Sequence, residues 1–169
     1  MKPTSPLWYL ASLFIVLGGA VLAIVVAAGA WDPVREATVT PVAQRVDATG
    51  KSIAVYTDIV QPDRDVTCHA SGPGKKVTTI PDAKLAITVD DGSDQWHLIG
   101  LLPEGDKEQL VTCTPKDRRV DDATYAYAAV TGFASKANTA KGISILGTAF
   151  GLGLAGYTFY TRRQVRKAA

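Results

Sequence analysis

The chain ends 142-GISILGTAFGLGLAGYTFYTRRQVRKAA-169. The eighteen residues from Ile143 to Tyr160 carry no charge, and four of the next seven, Arg162, Arg163, Arg166 and Lys167, are basic. That run is too apolar for a surface helix. As a helix it is about 27 Å long at 1.5 Å per residue, close to the roughly 30 Å of a bilayer core. It reads as a slightly short membrane span, 142–160, stopped by a basic tail, 161–169.

The other end repeats the pattern. From Leu7 to Ala30 the chain reads LWYLASLFIVLGGAVLAIVVAAGA, with Ser12 as the only clearly polar side chain. We expect a first span over 7–31 after a short N-terminus, 1–6. Aromatic residues stand where interfacial anchors belong: Trp8, Tyr9 and Trp31 around the first run, Tyr157, Phe159 and Tyr160 at the end of the second. A buried core helix is the alternative for each run. A cleaved signal is the alternative for the first, but the apolar stretch far exceeds the 7–15 residues of a signal core. A retained anchor is expected.

Charge sets the expected orientation. All sixteen acidic residues lie between the two runs, with thirteen of the eighteen Lys and Arg, so the loop carries −3 and the ends +5. Short flanks rich in Lys and Arg stay in the cytoplasm. Both termini, including Lys2 and the tail arginines, are therefore expected inside, and the central segment outside the plasma membrane. The basic overall balance then reports topology and implies no nucleic-acid partner.

The central segment, 32–141, is long enough for one small domain. Its text is strand-like. KSIAVYTDIV and KLAITVD alternate in hydropathy, and QWHLIGLL, EQLVTCT and TYAYAAV are rich in aromatic and β-branched residues. Turn clusters at 61–65, 71–76, 90–94, 103–107 and 115–119 separate them. The fold class expected is a membrane protein with two helices flanking a mainly-β domain, an antiparallel sandwich or small barrel. Residues 32–50 and 132–141 read as connectors, although TVTPV is able to begin a first strand.

Cys68 and Cys113 are the only cysteines and both fall in expected strands. In an extracytoplasmic compartment a lone pair reads most simply as a disulfide. Two free thiols or a redox pair are the alternatives, and there is no C-x-x-C to favour the latter. Catalytic and metal signatures are weak. His69 and His97 lack ligand-pair spacing. With Val66, Cys68 and Ala70 facing the core, His69 points outward. Asp90-Asp91-Gly92-Ser93-Asp94 has calcium-type oxygens but lacks the order of a calcium loop, and a hairpin turn is the better reading. SGPGKK is not a phosphate loop. No nucleophile stands in a G-x-S-x-G setting. No catalytic residue, metal or cofactor is expected.

The helices carry more information than the domain. Gly147, Gly151 and Ala155 recur every four residues in the second run, as Gly19, Ala23 and Ala27 do in the first. Small residues at that spacing let helices approach closely in lipid. Either the two stripes face each other in a hairpin, or at least one docks on another integral membrane subunit; the latter is the expectation. The absence of charged or amide side chains in both runs argues against an ion path.

This plan resembles small actinobacterial envelope proteins. It rests on LWYLASLFIVLGGAVLAIVVAAGAW, GISILGTAFGLGLAGYTFYTRRQVRKAA and the Cys68/Cys113 pair. In particular it is similar to the accessory subunits of the respiratory supercomplex of cytochrome bc and cytochrome aa3 oxidase. The resemblance implies an assembly role without haem, copper or quinone ligands. Neither histidine lies in a helix, and Met1 is the only methionine. Three functions are weighed: a non-catalytic accessory subunit docking laterally in the bilayer, an envelope-ligand binding or sensing module, and an envelope enzyme. The subunit is preferred.

Overall fold

A computed structural model describes residues 5–42, 45–60, 66–72, 74, 77–92, 94–105, 107–115 and 122–168. The expected turns at 61–65 and most of 115–119 lie outside these residues, as do Lys2, Ser93 and Ala169. The chain divides into two compact units. One holds the two long helical segments, up to Gly29 and from Ser135 onward, and the other is Ala30–Ala134.

Ala30–Ala134 is a β-rich domain of two antiparallel sheets. After the short helix α2 (Asp32–Arg35) come β1 (Thr40–Pro41), β2 (Arg45–Asp47), β3 (Ser52–Thr57), β4 (Val66–Ser71) and β5 (Val77–Thr79). Then follow β6 (Thr88–Asp90), β7 (Gln95–Leu102), β8 (Glu108–Pro115) and β9 (Tyr125–Val130). The five-stranded sheet has the order β1-β9-β3-β7-β6, and the four-stranded sheet β2-β8-β4-β5. The core draws on both. Ile53, Val55, Ile99 and Tyr127 come from the first sheet, and Val66, Cys68, Ala70 and Val111 from the second. Strand β4 shows the alternation of a half-buried strand, with Val66, Cys68 and Ala70 inward and Thr67, His69 and Ser71 partly exposed.

Strand β3 is buried on both faces. One face meets the second sheet. On the other, the Tyr56 hydroxyl donates to the Val34 carbonyl of α2 at 2.7 Å, and burial pushes the Tyr56 phenol above its usual range. The stretch 32–50 is thus part of the domain and no mere connector: it supplies that cover and an outer strand to each sheet. Trp31 packs edge-to-face on Phe133, centroids 4.9 Å apart. The two ends of the domain therefore meet side by side, and Trp31 is more than the interfacial anchor expected of it.

KLAITVD forms a strand only from Thr88. The residues just before it, 80–83, cross between the sheets: the Ile80 amide donates to Cys68 O at 2.8 Å in one sheet, and the Ala83 amide to Ile99 O at 2.9 Å in the other. The crossing passes close over a register shift in the β3–β7 pairing. A Cβ at Gly100 would lie 3.0 Å from Ile80 Cγ2 and 3.2 Å from Pro81 O, which is why glycine stands there.

Helix α1 (Leu7–Gly29) has 23 residues and α3 (Phe133–Ala168) has 36. Both are long and apolar enough to cross a membrane, and only 11% of each apolar window is buried within the chain. Helix α3 exceeds the expected span at both ends. It starts directly after Gly132, whose φ is +81°, so 133–141 is helical, as is the basic tail to Ala168.

Candidate functional site in the helical hairpin

The two helices pack through their smallest residues. A Cβ placed on Gly19 would lie 3.1 Å from the Cα of Gly147, and the reverse distance is the same. A Cβ on Gly151 would meet Val16 Cγ2 at 2.2 Å and the Ser12 carbonyl at 3.0 Å. The glycines exist here because backbone lies against backbone. Gly19, Gly147 and Gly151 therefore serve the chain's own hairpin, the other of the two arrangements considered for these stripes.

Periodicity accounts for the details. A four-residue step advances about 40° around a helix, whereas seven residues return almost to the same line. The buried line on α1 accordingly runs through Ser12 and Ala23 with Val16 and Gly19 half-buried between them, and on α3 through Ala140, Gly151 and Thr158 with Gly147 half-buried. Ala27 and Ala155, assigned by a strict four-residue stripe, are only half-buried. Ser12 and Val16 were missed. Alternating three- and four-residue spacing was the signal that could have found them. Within the seam the Thr158 hydroxyl donates to its own helix at Leu154 O, 2.8 Å, and the Lys136 ammonium caps α1 by donating to Gly29 O at 3.0 Å.

At the far end of α3 the basic residues stand on continuous helix. The Arg162 guanidinium lies 5.7 Å from the centre of the Tyr9 ring, within cation–π range. Tyr9, Phe159, Arg162, Arg163 and Arg166 line a groove of about 420 Å³. A smaller hollow of about 220 Å³ lies among Tyr160, Arg163, Gln164 and Lys167, where the Gln164 amide donates to the Tyr160 hydroxyl at 2.7 Å. Tyr9 was read as an anchor, and its role beside Arg162 depends on a long-range pairing that sequence spacing does not reveal.

In the β-rich domain, Cys68 and Cys113 are directly opposite on β4 and β8, their sulfurs at the 2.07 Å of a disulfide. The histidines belong to different sheets. His69 Nδ1 is 3.3 Å from the Thr79 hydroxyl and His97 Nδ1 is 3.1 Å from the Thr88 hydroxyl. Each is a cross-strand pair. The acidic cluster is the β6–β7 turn: Asp90 accepts from the Gly92 amide at 2.8 Å, and Asp91 from the Asp94 amide and Trp96 Nε1, both at 3.0 Å. Asp47 is likewise held below its usual carboxylate range by the Thr49 hydroxyl and amide. Among the described residues no three His, Cys, Asp or Glu side chains gather as metal ligands.

Comparison with protein-family models, curated proteins and solved structures finds no match.

Proposed function

We propose that the chain is a non-catalytic accessory or assembly subunit of a larger membrane complex. The hairpin anchors it in the plasma membrane with both termini cytoplasmic, and the disulfide-linked domain stands outside. The positive-inside asymmetry supports the orientation. Lateral docking is carried by what the hairpin leaves over. Glycine costs a helix about 1 kcal/mol relative to alanine, and the seam accounts for Gly19, Gly147 and Gly151. Gly153 and Gly156 are exposed with nothing within 4 Å of a Cβ. With exposed Ala149 they form an outward notch at three- and four-residue spacing, suited to a foreign helix.

Purification in mild detergent from native membranes, followed by mass spectrometry of the intact assembly, tests this. The chain should emerge with a stoichiometric integral-membrane partner, and Gly153→Leu should lose it. If the partner is the respiratory assembly of the resemblance, haem absorbance should accompany the chain. A chain that isolates alone in every mild detergent is not such a subunit.

A further inference from the structure

We propose that the groove between Tyr9 and the end of α3 binds the phosphate headgroup of an anionic phospholipid. The proposal rests on the membrane reading above, and needs no partner subunit. Three arginines, Arg162, Arg163 and Arg166, line one groove of about 420 Å³. Residues 162, 163 and 166 fall within about 100° of helix circumference, and α3 remains helical through them. They are thus preorganised. Among the described residues no carboxylate pairs with any of the three, and Arg162 lies over the face of Tyr9. Guanidinium forks match phosphate oxygens in pairs.

The remaining wall decides between a lipid and a free anion. Phe159 lines the same groove and is 60% exposed, and the apolar run of α3 leads away from it. A phosphodiester seated on the arginines would direct its glycerol and acyl chains along Phe159. A free phosphate would leave that apolar wall in water. Basic pockets beside membrane helices are suited to anionic headgroups.

The full chain is reconstituted in vesicles of phosphatidylcholine, with and without phosphatidylglycerol, and lipids retained after extraction are counted by native mass spectrometry. Resistance to alkaline extraction from pure phosphatidylcholine reports insertion by itself. We expect insertion in both vesicles and preferential retention of phosphatidylglycerol. Arg162→Gln/Arg166→Gln should insert equally but lose that preference by about thirtyfold, equivalent to about 2 kcal/mol. Arg162→Lys/Arg166→Lys should lose less, since charge without the fork remains. A chain that is stripped by alkali fails the membrane reading. A chain that inserts but retains the two lipids equally, or a glutamine variant with undiminished preference, overturns the lipid site alone. Release of the lipid by millimolar inorganic phosphate would reassign the groove to a free anion and overturn it too.

Discussion

Gly151→Leu should open the helical hairpin while leaving both helices in the membrane fraction. The new Cβ alone would come 2.2 Å from Val16 Cγ2 and 3.0 Å from the Ser12 carbonyl. The backbone of α1 cannot yield as a side-chain tip can, so the helices must part. Overpacking of this kind costs about 1–3 kcal/mol or more. Leucine keeps the segment apolar and the basic end unchanged, so topology should survive. Spin labels at the exposed positions Phe14 and Phe150 would report the separation by a longer, broader distance distribution. Gly153→Leu is the matched control, since nothing lies within 4 Å of its Cβ. It should leave the distances intact and act only on the partner, and exposed Leu152→Ile should disturb neither. An unchanged distribution in Gly151→Leu would mean that the glycines do not hold the hairpin.

Loss of the Cys68–Cys113 bond should strongly destabilise the β-rich domain. The two residues are 45 apart in sequence, and closing such a loop contributes about 4 kcal/mol on the chain-entropy view. Cys68 is buried in the shared core, while β4 and β8 supply the centre of their sheet. In Cys68→Ala/Cys113→Ala, thermal unfolding followed by the β-sheet circular dichroism of the full chain in detergent should fall by about 15 °C. Non-reducing peptide mapping of the wild type should recover the two cysteines linked. Free thiols in freshly alkylated protein, or a variant that melts with the wild type, would contradict the role assigned to the bond.

The long central strands were legible because each announces itself locally. QWHLIGLL and TYAYAAV are runs of aromatic, branched and small apolar residues closed by turn text, and they become β7 and β9 almost residue for residue. Strands β2 (RVD) and β5 (VTT) have three residues each, and all but the half-buried Val46 are exposed. Their pairing with β8 and β4 is a long-range event with no local period. KLAITVD looks like a strand by alternation, yet it follows directly on the crossing made by Ile80 and Ala83, and only its end, from Thr88, is a strand. In α3 the apolar run marked a candidate span but hid the helix around it. FASKANTAK and TRRQVRKA contain neither glycine nor proline, so nothing stops the helix once Gly132 has turned the chain into it. Of the small residues, Gly19, Gly147 and Gly151 lie close against the facing helix. Their line was drawn at a four-residue period, whereas two helices that stay in register follow three and a half.

The proposed compartment of the disulfide, the leaflet of the arginine groove and the side on which the β-rich domain stands all depend on one topology. It is measured by an impermeant thiol reagent on intact cells, with the native disulfide left in place because its sulfurs do not react. Lys84→Cys, at an exposed position of the β-rich domain, should label readily, while Ala169→Cys should label only after the cells are permeabilised. Labelling of Ala169→Cys in intact cells, or protection of Lys84→Cys, would contradict the account.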